Sequence, residues 1–133
     1  MSETIDHIQL VSRIIDLIRM RYSDVEGLCL FCDCPSILQT EKPYPIDGYF
    51  PDVLASTTPQ TLTIIGEAKT LPDLDTPHSL RQITAFLRFL RHRPNPLFIF
   101  SIPWIAKGTA KGIVSRVFNE HSIDTINVEY LIT

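Results

Sequence analysis

The sequence predicts a single α/β domain over residues 1–133, with a central mixed sheet flanked by helices. Three observations point there. Residues 4 to 22 repeat apolar side chains at helical spacing, with Ile8, Val11, Ile14, Ile15 and Ile18 on one side. Two extended apolar runs, TLTIIG at 61–66 and PLFIF at 96–100, read as buried strands. Helical patterns at 78–93 and 109–121 separate the second run from the first and from the last apolar segment, TINVEYLI. A chain of 133 residues with 44% apolar content suits one compact folded unit and leaves little room for another. No run approaches the roughly 18 apolar residues of a membrane span. The start, MSETIDHIQ, lacks the basic and apolar regions of a signal peptide, so a cytoplasmic protein without membrane association is expected.

In chain order, the first helix opposes its isoleucines with Asp6, Gln9, Ser12, Arg13 and Asp16. Steps of about 100° per residue put His7 in the middle of the apolar arc and Glu3 near its edge, the two polar residues that break the pattern. After Gly27, LCLFC is a short strand. It carries Cys29 and Cys32, with Cys34 just beyond. Three thiols make neither a disulfide framework nor a complete zinc site; they read as reduced cysteines in and beside a strand, against a metal shared across a dimer. Residues 33–48, with three prolines and a glycine, form a loop, and Asp47 is turn chemistry. DVLAST at 52–57 is an extended piece that Pro59-Gln60 turns back onto TLTIIGEAK.

The segment LPDLDTP follows as loop. Asp73 and Asp75 are either auxiliary ligands or, for Asp75, a helix cap, and Thr76-Pro77 is a start signal with proline at the first helical position. The helix HSLRQITAFLRFLRHR buries Leu80, Ile83, Phe86, Leu87 and Leu90, and Gln82 falls inside this apolar arc between Phe86 and Phe89. A buried amide must find hydrogen-bond partners, so Gln82 has either a structural or a functional task. Pro94 and Pro96 end the helix, and PLFIFSIPW is a strand with Trp104 at its end, a base-stacking or core aromatic.

Net charge is −3, which does not advertise a nucleic-acid binder, but its distribution is uneven. Residues 1–65 carry four Lys and Arg against nine Asp and Glu, while residues 66–133 carry eight against six. Arg81, Arg88, Arg91, Arg93, Lys107 and Lys111 therefore form a candidate phosphate footprint, with a solvated helix face as the alternative.

The chemistry concentrates between residues 51 and 69. Alternation along a strand points Glu67 and Lys69 the same way, and Gly66 and Ala68 the other. If DVLAST pairs with TLTIIGEAK as a hairpin, strands about 4.8 Å apart bring Asp52 and Glu67 close enough to share a cation. Two carboxylates at that separation repel unless something positive lies between them. Mg²⁺ is a hard ion that takes oxygen ligands and keeps several waters, and Mn²⁺ is its substitute. Lys69 adds a fixed positive charge beside a reacting water. The plain alternative is a surface ion pair beside an ordinary turn, but an acid-x-Lys that terminates a strongly apolar strand suggests a cleft.

Pro51-Asp52 followed by Glu67-Ala68-Lys69 resembles the signature of the PD-(D/E)xK nuclease superfamily, which includes Holliday junction resolvases, RecB-like exonuclease domains, restriction endonucleases and small VRR-type nucleases. The order helix, three strands, helix, strand, helix, strand is that of the restriction-endonuclease-like core. The resemblance implies that Asp52 and Glu67 bind Mg²⁺ with the backbone carbonyl of Ala68, and that Lys69 positions the attacking water. It further implies a metal-site glutamate on the first helix, which Glu3 matches with His7 as substitute, and a supporting glutamine, which Gln82 matches. Phe86 stands where the RecB-like branch has a tyrosine. The implied activity is Mg²⁺-dependent hydrolysis of phosphodiester bonds in DNA, with RNA left open, and small nucleases of this kind often need a homodimer or partner subunit. Arg81, Arg88, Lys107 and Lys111 are the expected nucleic-acid contacts. The competing reading is a catalytically silent nuclease-like domain kept for nucleic-acid binding or protein assembly.

Overall fold

The computed structural model describes residues 5–34 and 41–133. The elements among these residues are α1 (Ile5–Arg21), β1 (Leu28–Cys32), β2 (Val53–Thr57), β3 (Thr63–Ala68), α2 (Leu71–Leu74), α3 (Pro77–Leu90), β4 (Pro96–Ile102), α4 (Lys107–His121) and β5 (Asn127–Ile132), with a 3₁₀ turn at Trp104–Ala106. Together they make an α/β fold in which a five-stranded mixed sheet is flanked by helices.

The strands lie in sequence order across the sheet. β1, β2 and β3 form an antiparallel meander, and β4 and β5 continue it in parallel. Parallel neighbours require crossovers, and right-handed crossovers taken in one direction place both connecting helices on the same face. That face carries Leu54, Ile65, Phe98, Phe100 and Ile102 against Ile83, Phe86, Leu87 and Leu90 of α3 and Ala110, Val114 and Val117 of α4. The opposite face is left to α1, whose Leu10, Val11, Ile14, Ile15 and Ile18 pack on Val53, Ala55, Ile64, Leu97 and Ile99. β3 is buried at every position, which is why its sequence is an apolar run and not an alternating one. The same burial makes its terminal charges conspicuous.

Gly66 sets how closely α1 approaches. A Cβ at this position would lie 2.5 Å from Ile14 Cγ2 and 3.3 Å from Val53 Cβ, so only a glycine lets the helix settle on the strand.

Some expected boundaries shift. LPDLDTP, expected as loop, contains the one-turn α2, because Pro72 in a first turn needs no N–H partner. α3 begins at Pro77 as expected, with the Thr76 hydroxyl accepting from Ser79 N–H at 3.0 Å, but it ends at Leu90 instead of Arg93. Pro94 and Pro96 disfavour helical geometry in the residues before them, and Asn95 takes a φ of 43°. α4 starts two residues earlier than expected, fed by the 3₁₀ turn. Cys29 is exposed, whereas Cys32 and Cys34 are buried. Among the described residues no helix is long and apolar enough to cross a membrane.

Candidate active site

The antiparallel register pairs Val53 with Gly66, so Asp52 meets Glu67 where the β2–β3 ladder ends. Two backbone amides lock them together. Asp52 N–H donates to Glu67 Oε1 at 3.1 Å, and Ala68 N–H donates to Asp52 Oδ2 at 2.8 Å. N–H and C=O of one extended residue point to the same edge of its strand, so the Ala68 carbonyl faces the side where Asp52 stands. Lys69 N–H donates to the Ser101 carbonyl of β4 at 3.2 Å, which ties the end of β3 to the parallel part of the sheet.

Glu67 and Lys69 both turn toward α3, and Lys69 is only 6% exposed. Its Nζ lies 3.3 Å from Glu67 Oε2 and donates to Gln82 Oε1 at 2.6 Å. An ammonium has three donors, so one remains for the cleft. Gln82 is thus the satisfied partner of a buried cation, which explains an amide in the apolar arc of α3. Phe86, one turn on, is fully buried in the core beneath.

Glu67 is 1% exposed. Burial pushes its carboxyl well above the usual carboxylate range and the Asp52 charge pushes the same way, against the Lys69 ammonium. From α1, His7 Nε2 reaches to 3.3 Å of Asp52 Oδ1. The hydrogen bond to Asp52 raises the imidazole pKa above its ordinary value, with burial opposing. Glu3 lies outside the described residues.

These groups line one cleft of about 310 Å³, together with Asp33, Phe50, Asp73, Thr76 and His78. Asp73 accepts from the Thr70 hydroxyl at 2.8 Å, whereas Asp75 does not line the cleft. Neither Asp33 nor His78 was marked by its sequence. Asp33 arrives because its backbone N–H donates to the Asp52 carbonyl at 2.9 Å. For His78 a signal existed: it stands four residues before Gln82, on the same helix face. Arg81, Arg88, Lys107 and Lys111 are all exposed and none lines the cleft. Lys111 Nζ sits 5.5 Å from the Tyr130 ring centroid. Trp104 is exposed and also lies outside the cleft lining.

The donor set fits a hard cation. Among the described residues no group of three or more His, Cys, Asp and Glu side chains is arranged to hold a metal. Two carboxylates and a carbonyl are what an ion that keeps most of its waters requires. A buried Glu67 that resists ionisation beside Asp52 is also a site whose charge a cation would relieve.

Fold and site together define a class: a mixed-sheet α/β protein with a carboxylate pair and a buried lysine at the end of its central strand. One solved structure with this fold is that of Pyrococcus furiosus SfsA in complex with Ca²⁺, similar at a TM-score of 0.55 and 14% sequence identity, over 94% of this chain and 57% of that one. The likeness is one of fold, and this chain spans little more than half the length of that protein. No protein-family model and no curated protein matches the chain.

Proposed function

We propose that this chain is a divalent-metal-dependent nuclease of the PD-(D/E)xK type, hydrolysing phosphodiester bonds in DNA. The observation that carries the reading is the pair of backbone bonds that fixes the two carboxylates, Glu67 accepting from the Asp52 amide and Asp52 from the Ala68 amide, with the Lys69 ammonium held against Glu67 at 3.3 Å. Asp52, Glu67 and the Ala68 carbonyl would hold Mg²⁺ or Mn²⁺. The ion would neutralise phosphoryl charge and acidify a water. That SfsA structure contains Ca²⁺, another hard oxygen-seeking ion, which agrees with a divalent cation here.

The chain's own residues do the placing. Lys69, fixed by Gln82 and Glu67, turns its remaining donor toward the attacking water and the charge that develops on phosphorus oxygens. His7 holds Asp52 Oδ1 from the opposite layer and keeps the carboxylate oriented. Arg81, Arg88, Lys107 and Lys111 are exposed cations outside the cleft, available to flanking phosphates.

The test is cleavage of labelled linear, flapped and four-way duplex DNA, single-stranded DNA and RNA with Mg²⁺ or Mn²⁺. Cutting should require the metal and fall at least about a hundredfold in Asp52→Ala and Lys69→Ala, the scale of losing one electrostatic stabiliser. Comparable cutting by either variant, or none by the wild type, overturns the reading; the latter favours a silent domain used for binding or assembly.

A further inference from the structure

Hydrolysis of a phosphodiester needs a proton for the oxygen that leaves, and most groups in the cleft are committed elsewhere. His7 is engaged by Asp52 and Asp33 faces Lys42 at 3.5 Å. Asp73 accepts from Thr70, Lys69 is held by Glu67 and Gln82, and the Thr76 hydroxyl caps α3. His78 is different. Among the described residues it has no hydrogen bond or ion pair, and only its ring is held, edge-on to Tyr49 at 5.6 Å between centroids. Tyr49 is itself anchored by a reciprocal backbone pair with Ile46, at 2.8 and 3.0 Å. The imidazole is therefore placed by packing while its nitrogens stay available to the cleft it lines.

The position along α3 matters as well. Gln82 marks the water side of the site, because its Oε1 binds Lys69 Nζ. His78 lies about one helical turn N-terminal on the same face, about 6 Å along the axis. In-line displacement needs the attacking and leaving oxygens on opposite sides of phosphorus, a few ångströms apart. One turn of helix spans that separation.

We propose that His78 is the general acid for the leaving oxygen, an inference that rests on the nuclease reading above. The attacking water forms its bond to phosphorus and releases a proton to solvent. The bond from phosphorus to the leaving oxygen breaks, with its electron pair going to that oxygen. The imidazolium N–H of His78 protonates it and solvent returns a proton to the ring. Imidazole is the side chain that exchanges protons near neutrality.

The test uses the full chain with Mn²⁺ and oligonucleotides carrying one sulfur in place of a bridging oxygen, on the 3′ side in one and the 5′ side in another. A thiolate leaves without protonation. His78→Ala and His78→Gln, checked for unchanged melting temperature, should cut ordinary linkages at least about a hundredfold more slowly than wild type, in line with general acid catalysis. At one of the two sulfur linkages the loss should stay under about threefold. Equal losses at oxygen and sulfur linkages, or no loss at oxygen, overturn the role of His78 while leaving the nuclease reading intact. A wild type that cuts nothing overturns both.

Discussion

A carboxylate that is 1% exposed ionises only against its surroundings, and Glu67 is in that position with Asp52 beside it. The folded chain therefore binds the Glu67 proton more tightly than the unfolded chain does, and the same holds for His7 through its bond to Asp52. A raised folded pKa gives stability that is full below the unfolded value and is lost as pH rises through the folded one. Metal-free protein should lose stability with rising pH, from about 4.5 upward through Glu67 and from about 6.5 upward through His7. Urea midpoints across this range, for wild type and His7→Gln, check the sign: the variant should lose the upper part of the slope, and an unchanged slope would remove His7 from the account. At this scale the sequence was informative where chemistry and periodicity conflict. Lys69 and Glu67 end an apolar strand, and Gln82 and His7 interrupt apolar helix faces. It was mute for Asp33, which occupies an ordinary loop position and becomes a neighbour of the site only in three dimensions, and it marked His78 only through its spacing from Gln82.

Elements reach the site from both layers, so their packing distances control it. Gly66 is the tightest of these contacts, since an added methyl would meet Ile14 Cγ2 at 2.5 Å, and Ile14 is fully buried with no room to swing aside. Gly66→Ala should destabilise the fold by about 1–3 kcal/mol, the usual cost of overpacking. Combining it with Ile14→Ala should cost less than the two changes summed, because the second removes what the first collides with. Denaturant titration of the four variants measures this, and strict additivity would show that α1 does not rest on Gly66. Element existence was legible because periodicity is a local property: α1, α3, α4 and the five strands all lie within their expected segments or a few residues from them. Their ends were less so, since α2 and the early start of α4 depend on what the flanking turns pack against.

For the whole molecule, a cation bound only by the folded chain shifts the folding equilibrium. Mg²⁺ or Mn²⁺ at about a hundred times its dissociation constant should raise the melting temperature by on the order of 5–10 °C. The shift should reverse with chelator and vanish in Asp52→Ala; thermal unfolding with no wild-type shift would count against a metal at this site. The negative net charge and the eight basic residues of the second half belong to this scale too. Clustering along the chain did not become clustering in the cleft, because Arg81, Arg88, Lys107 and Lys111 are exposed outside its lining. By itself the sequence determined the alternation of helices and strands, the strand burial and the acid-x-Lys ending of the central strand, since each is written in neighbouring residues. Only the tertiary structure decided which atoms meet: His7 on Asp52, Lys69 on Gln82, the Glu67 carboxylate on the Asp52 amide and the Asp52 carboxylate on the Ala68 amide. Those meetings depend on the Val53–Gly66 register and on crossovers that send α3 to one face and leave α1 the other. A slip of one residue would turn every side chain of a strand to the opposite layer, and no local pattern records the pairing that prevents it.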